Sequence, residues 1–248
     1  MSRILSSSIL VPGTETCVIP YSNEYYGGKL ILPRTKRLPI EEREAALPDR
    51  KAYRSMSRSA ILLSLTCLKL QSHIRQFLDI SSFSAGIYCA VENGPVDLKS
   101  TREMQEVSRE DFAEQYRKSH NPKMFLMQLP NLAAAQMGIF LGVMGPMNVF
   151  NSSTWGSIHA LEQAEDDLGN GRISVALVCS AFSFENPLLL ERIRKHDLHD
   201  RVLCEGAAAM LLTADGNKSE WREMNYDMTE SYYGISHQII IQTIKKGG

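Results

Sequence analysis

Residues Asn148–Ser157 read Asn-Val-Phe-Asn-Ser-Ser-Thr-Trp-Gly-Ser, a short strand that runs into a tight turn and then a helix. Such an elbow lifts one side chain out of a sheet, where a nucleophile would stand. Thr154 occupies that place, with Ser152 and Ser153 as neighbouring hydroxyls. A neutral hydroxyl needs an adjacent base before it can attack a carbonyl, and no base stands close in sequence to any of the three. His159, five positions past Thr154 on the following helix, points to a different face. His196-Asp-Leu-His199-Asp200 has the composition of a metal site. Two histidines three apart with carboxylates also suit an exposed helix end, and no metal is expected there. Glu162, Asp166 and Asp167 read as a solvated helix face rather than paired catalytic acids. The frame of an active site is present without its reactive group, which points away from an enzyme and towards a partner of one.

The chain that must position these residues has 248 residues, 44% of them apolar and 22% charged, with a formal net charge of -1. Those values describe an ordinary globular domain with ample core-forming residues. No basic excess exists to neutralise phosphates, so nucleic acid is not an expected partner. Five scattered cysteines (Cys17, Cys67, Cys89, Cys179 and Cys204) lack any Cys-x-x-Cys spacing. Four sit in apolar runs, which fits buried free thiols in a reducing cytoplasm. Met1–Val11 makes a poor signal peptide. The apolar run Ala60–Leu70 is too short to span a bilayer, so no membrane span is expected.

Residues 12–55, rich in Pro, Gly and charge, predict irregular structure with short strands. Ser57 opens a helix apolar on nearly every side, as one buried between layers would be. Ala85–Val91 predicts a buried strand. Residues 96–120 carry dense mixed charge, with a capping box at Ser108 and Asp111, and predict an exposed insertion. Pro130 favours the start of a helix through Asn131–Leu141. Gly145-Pro146 ends it, and a strand Met147–Ser153 follows. Trp155–Leu168 predicts an amphipathic helix closed by Gly169-Asn170-Gly171. Ile173–Phe182 and Leu203–Thr213 read as inner strands covered on both faces. Pro187–Lys195 predicts a helix, Trp221–Tyr226 a strand, and Ser236–Lys246 a closing helix. Alternation of strands and helices with short links argues a layered α/β fold.

In this order the pieces resemble the β-ketoacyl synthase family of the thiolase superfamily. The resemblance rests on Arg54-Ser-Met-Ser-Arg58, Asn121-Pro122, Leu129-Pro-Asn-Leu-Ala-Ala-Ala-Gln136, Gly145-Pro146, Ile158-His159-Ala160-Leu161 and Cys204-Glu205-Gly206-Ala207-Ala208. It covers roughly residues 54–213 and more loosely the rest. The implied fold class is α/β: a thiolase-like layered fold, N-terminal half only, with a mixed sheet and helices on both faces. Residues 1–248 are expected to form a single truncated ketosynthase-like domain. Within the resemblance, Thr154 falls where the family has its reactive cysteine. Family members are about twice this long, and their later half supplies two histidines and a lysine for decarboxylation and condensation. The likeness is greatest to the short chain-length-factor-like subunits associated with aryl polyene biosynthesis.

That likeness implies a catalytically inactive, cytoplasmic subunit with no cofactor. It would form a heterodimer with an active ketosynthase and meet acyl carrier protein only indirectly. In the family, the strand before the nucleophile pairs across the dimer axis, which makes Met147, Val149 and Asn151 interface candidates. The family's segment at Met124–Leu129 lines the other subunit's acyl tunnel, which adds Met124, Phe125 and Gln128. Long, flexible Met side chains suit such a wall. Two other readings stay open: an esterase or acyltransferase using Ser153 or Thr154, and a freestanding module that binds acyl carrier protein.

Overall fold

The computed structural model describes residues 2–13, 19–22, 31–39, 47–91, 96–151, 155–183, 186, 202–214, 221, 231–232 and 235–247. Its strands are β1 (Arg3–Leu10), β2 (Ile19–Ser22), β3 (Ile31–Lys36), β4 (Ala85–Val91), β5 (Met147–Phe150), β6 (Val175–Phe182), β7 (Val202–Cys204), β8 (Gly206–Thr213) and β9 (Ser231–Tyr232). Its helices are α1 (Arg50–Tyr53), α2 (Arg58–Leu68), α3 (Gln71–Leu78), α4 (Leu98–Gln105), α5 (Phe112–Ser119), α6 (Pro122–Gln128), α7 (Pro130–Leu141), α8 (Gly156–Gly169) and α9 (Ile235–Gly247).

A five-stranded mixed sheet in the order β1-β8-β6-β4-β5 forms the centre. β8 runs antiparallel to both β1 and β6, while β6, β4 and β5 are parallel. Every residue of β4 and β6 is buried, because helices cover both faces. Alternate side chains therefore enter two separate cores. Ile87, Cys89, Leu177 and Leu211 pack with Leu62, Leu63 and Met137 of α2 and α7. Tyr88, Val178 and Met210 pack on the other side with Leu161, Ala164 and Ile240 of α8 and α9. A smaller sheet, β2-β3-β7-β9, stands beside the first.

Three expectations change. The strand expected over Leu203–Thr213 is broken at Glu205, so β7 and β8 belong to different sheets. The strand expected over Met147–Ser153 ends at Phe150, with Asn151 outside it. Asp167 does not face water: it is buried, accepting from the Tyr88 hydroxyl at 2.6 Å, Arg172 Nη1 at 3.0 Å and Gln163 Nε2 at 3.3 Å. The turn at Gly171, where φ is +67°, brings Arg172 back beneath the helix end and makes that burial affordable. The expected helix over Pro187–Lys195 lies outside the described residues. So does the expected strand after Trp221, which itself sits in a helical turn.

Candidate functional site

Gly145-Pro146 places the edge strand. A Cβ at Gly145 would lie 2.1 Å from the Ala85 carbonyl oxygen, so only glycine lets this segment lie against the start of β4. Pro146 then accepts from Ile87 N–H at 2.8 Å and begins the β4–β5 ladder. Met147 pairs with Ile87 and Val149 with Cys89. In a parallel ladder alternate residues turn their backbone groups to opposite neighbours. Pro146 faces β4, so Met147 and Val149 direct theirs outward, along an edge that no other strand among the described residues covers. A Cβ at Gly138 of α7 would lie 2.8 Å from Met147 Cε, so that glycine admits the methionine.

The motifs far apart in sequence turn out to be joined. Arg58 Nε donates to Glu205 Oε2 at 2.7 Å, and Nη2 bonds both Glu205 Oε1 and the Leu38 carbonyl. Leu38 N–H donates to the same carboxylate at 2.7 Å. Glu205 is fully buried, and this fork closes its hydrogen-bonding needs. Ser57 caps α2 by accepting from Ala60 N–H. The Asn121-Pro122 pair starts α6 in a similar way: the Asn121 carboxamide oxygen accepts from Lys123 and Met124 N–H, and Pro122 needs no partner. Pro130 holds Leu129 in an extended conformation (φ -75°, ψ 115°), so α6 and α7 meet at 86° instead of merging.

The tunnel candidates separate here. Met124 is half-buried and Phe125 exposed. Phe125 and Gln128 line a groove of about 510 Å³ together with His120 and Asn121, and Met124 is not among its lining residues. Met147 is 39% exposed, Val149 packs against the α2–α7 core, and Asn151 is exposed just past β5. Trp155 is 57% and Phe125 52% exposed. Thr154, Ser152 and Ser153 lie outside the described residues, as do His196, His199 and Asp200. His159 is exposed, its ring 6.1 Å from that of Phe150.

Sequence reading missed the Arg58–Glu205 fork and the Tyr88–Asp167 contact, whose partners lie far apart along the chain. It also missed a run of rings at Phe112, Tyr116 and His120, for which the four-residue spacing was a usable signal. Burial raises the thiols of Cys67 and Cys89 well above the ordinary range. Among the described residues, no group of three His, Cys, Asp or Glu could hold a metal ion. No single helix among them is long and apolar enough to cross a membrane.

A mixed sheet covered by helices on both faces and ending in the edge strand β5 is the arrangement of one half of a thiolase-like fold. The sequence pattern described as "Beta-ketoacyl synthase, N-terminal domain" matches residues 50–216, and the chain belongs to that family. No curated protein sequence matches it. Among solved structures, it is similar to a β-ketoacyl synthase from Burkholderia phymatum (16% identity, TM-score 0.61, 86% of this chain and 58% of that one). It is also similar to a ketosynthase in complex with its chain length factor from Xenorhabdus doucetiae (10%, 0.61, 87% and 58%). A third similar structure is a type II polyketide synthase acyl-carrier protein in complex with its ketosynthase bound to the hexaketide (14%, 0.62, 86% and 62%). The chain thus spans less than two thirds of the length of each of them.

Proposed function

We propose that this chain is a catalytically silent, chain-length-factor-like subunit that acts as one unit over residues 1–248 in the cytoplasm. It pairs with an active β-ketoacyl synthase and helps shape the tunnel for the growing acyl chain, in fatty-acid- or polyketide-like synthesis of the aryl polyene type. The outer edge of β5, which no other strand among the described residues covers, carries the reading: its backbone groups at Met147 and Val149 point away from the sheet, and Met147 within the strand and Trp155 after it are exposed. An unpaired edge beside apolar side chains is a surface that a second chain completes. Silence follows from Thr154, a weak nucleophile in the place of a thiolate. Similarity to a ketosynthase–chain length factor complex supports the pairing, and acyl carrier protein would dock on the active partner.

The test is recovery of the native complex by pull-down and mass spectrometry, with co-expression of the ketosynthase so identified. The expected result is a stable one-to-one complex, little soluble chain without the partner, and no acylation at residues 152–154 after incubation with acyl thioesters. A well-behaved monomer would overturn the pairing. A covalent acyl group at Ser153 or Thr154 would overturn the silence.

A further inference from the structure

Among the described residues the methionines divide sharply by exposure. Met56, Met137 and Met210 are buried in the two cores, and Met104, Met124 and Met127 are partly buried. Only Met144 and Met147 are exposed, at 63% and 39%. Met144 lies in the link from α7 to β5, and Met147 is the first residue of that strand.

The two are held differently. Met144 N–H donates to the Ser82 carbonyl at 2.9 Å, which fixes its backbone while its side chain stays in water. Met147 pairs with Ile87 in the β4–β5 ladder and lays its Cε methyl against Gly138 of α7, within 2.8 Å of where a Cβ would stand. Met147 is thus anchored at its methyl end and still open to solvent.

A thioether sulfur that solvent can reach is open to peroxides. Its lone pair takes the terminal oxygen, the O–O bond breaks, and the other oxygen leaves with the proton as water. Sulfur loses two electrons and the peroxide gains them. The product is a sulfoxide, polar and chiral, where a flexible apolar side chain had been. The four cysteines among the described residues are buried and offer peroxide no exposed thiol.

We propose that Met147 is an oxidation site that gates assembly, its sulfoxide opposing docking along the outer edge of β5, and that Met144 takes oxygen without effect on docking. The inference rests on the reading of that edge as the partner's seat and adds its regulation. A sulfoxide oxygen covered by the partner without a donor is a buried unsatisfied acceptor, which weakens association roughly tenfold or more. A partner already in place covers the sulfur, so the step acts on the free chain.

The full-length chain, in the complex and free (expressed alone or released from the complex), is treated with dilute hydrogen peroxide. Dithiothreitol then returns any oxidised thiol, and peptide mass spectrometry maps the sulfoxides. In the free chain Met144 and Met147 should gain oxygen well before Met56, Met137 and Met210, and in the complex Met147 should be protected. Oxidised free chain should bind the ketosynthase about tenfold more weakly, and methionine sulfoxide reductases should restore binding. Met144→Leu should respond to peroxide as wild type does. Met147→Leu should bind equally before and after peroxide, whatever its starting affinity. Oxidation of Met147 no faster than of the buried methionines, equal binding by oxidised wild type, or weakened binding by peroxide-treated Met147→Leu would overturn the proposal. Untreated chain that does not bind would instead overturn the pairing itself, and the gate with it.

Discussion

His237 lies wholly buried on α9, with Nδ1–H donating to the Ser180 carbonyl at 3.1 Å. Burial pushes its pKa down from 6.5 to about 4, with the carbonyl contact pulling the other way. In the unfolded chain the same ring takes a proton near pH 6.5. Between those values the unfolded state binds a proton that the native state does not, so stability falls as pH falls. The contribution is complete above about pH 6.5 and amounts to roughly 3 kcal/mol. Urea midpoints at pH 7 and pH 4.5 test this: wild type should lose about that much more than His237→Asn. Equal losses would count against it. The Arg58–Glu205 fork makes a sharper demand. Glu205→Ala leaves Arg58 without its carboxylate and should cost about 3–5 kcal/mol in urea unfolding. Arg58 and Glu205 both stand within the motifs that carried the family resemblance, yet no spacing in the sequence joins them. Their 147-residue separation is closed only when β8 is laid beside α2.

Elements were legible where one physical signal dominated. The nearly all-apolar stretch at Ile173–Phe182 became the fully buried strand β6 over Val175–Phe182, and Pro130 started α7 as its missing N–H requires. Signals that act against each other read less well. The charged stretch 96–120, read as an exposed insertion, became two helices, and the Ser108–Asp111 box sits a turn before α5, with Ser108 Oγ accepting from Asp111 N–H. The Leu203–Thr213 run looked continuous because apolarity says nothing about which sheet a strand joins. The β5 edge yields its own prediction. Trp155→Ala should weaken association with the partner by about 2 kcal/mol, near thirtyfold, as expected for an exposed aromatic at an interface. Met147→Arg should do the same by placing a charge on the edge. Binding isotherms with the purified partner measure both, and unchanged affinity in the two variants would place the interface elsewhere.

At the scale of the whole molecule, four cysteines from distant segments lie buried: Cys67, Cys89, Cys179 and Cys204. Cys89 and Cys179 sit side by side in β4 and β6, and Cys67 belongs to the same core. Differential alkylation followed by peptide mass spectrometry should find all four protected in native protein and labelled only as it unfolds. Rapid native labelling of any of them would contradict this packing. Apolar runs and the Gly-Pro and Cys-Glu-Gly motifs were fixed by residue type and order alone. They were enough to establish a layered α/β chain of this family, because periodicity and backbone restriction are local properties. Which carboxylates are buried and which strand forms the edge of the sheet beside β4 were decided only by tertiary structure. Those features depend on distances between residues far apart along the chain, and such distances exist only once the sheet has ordered its strands.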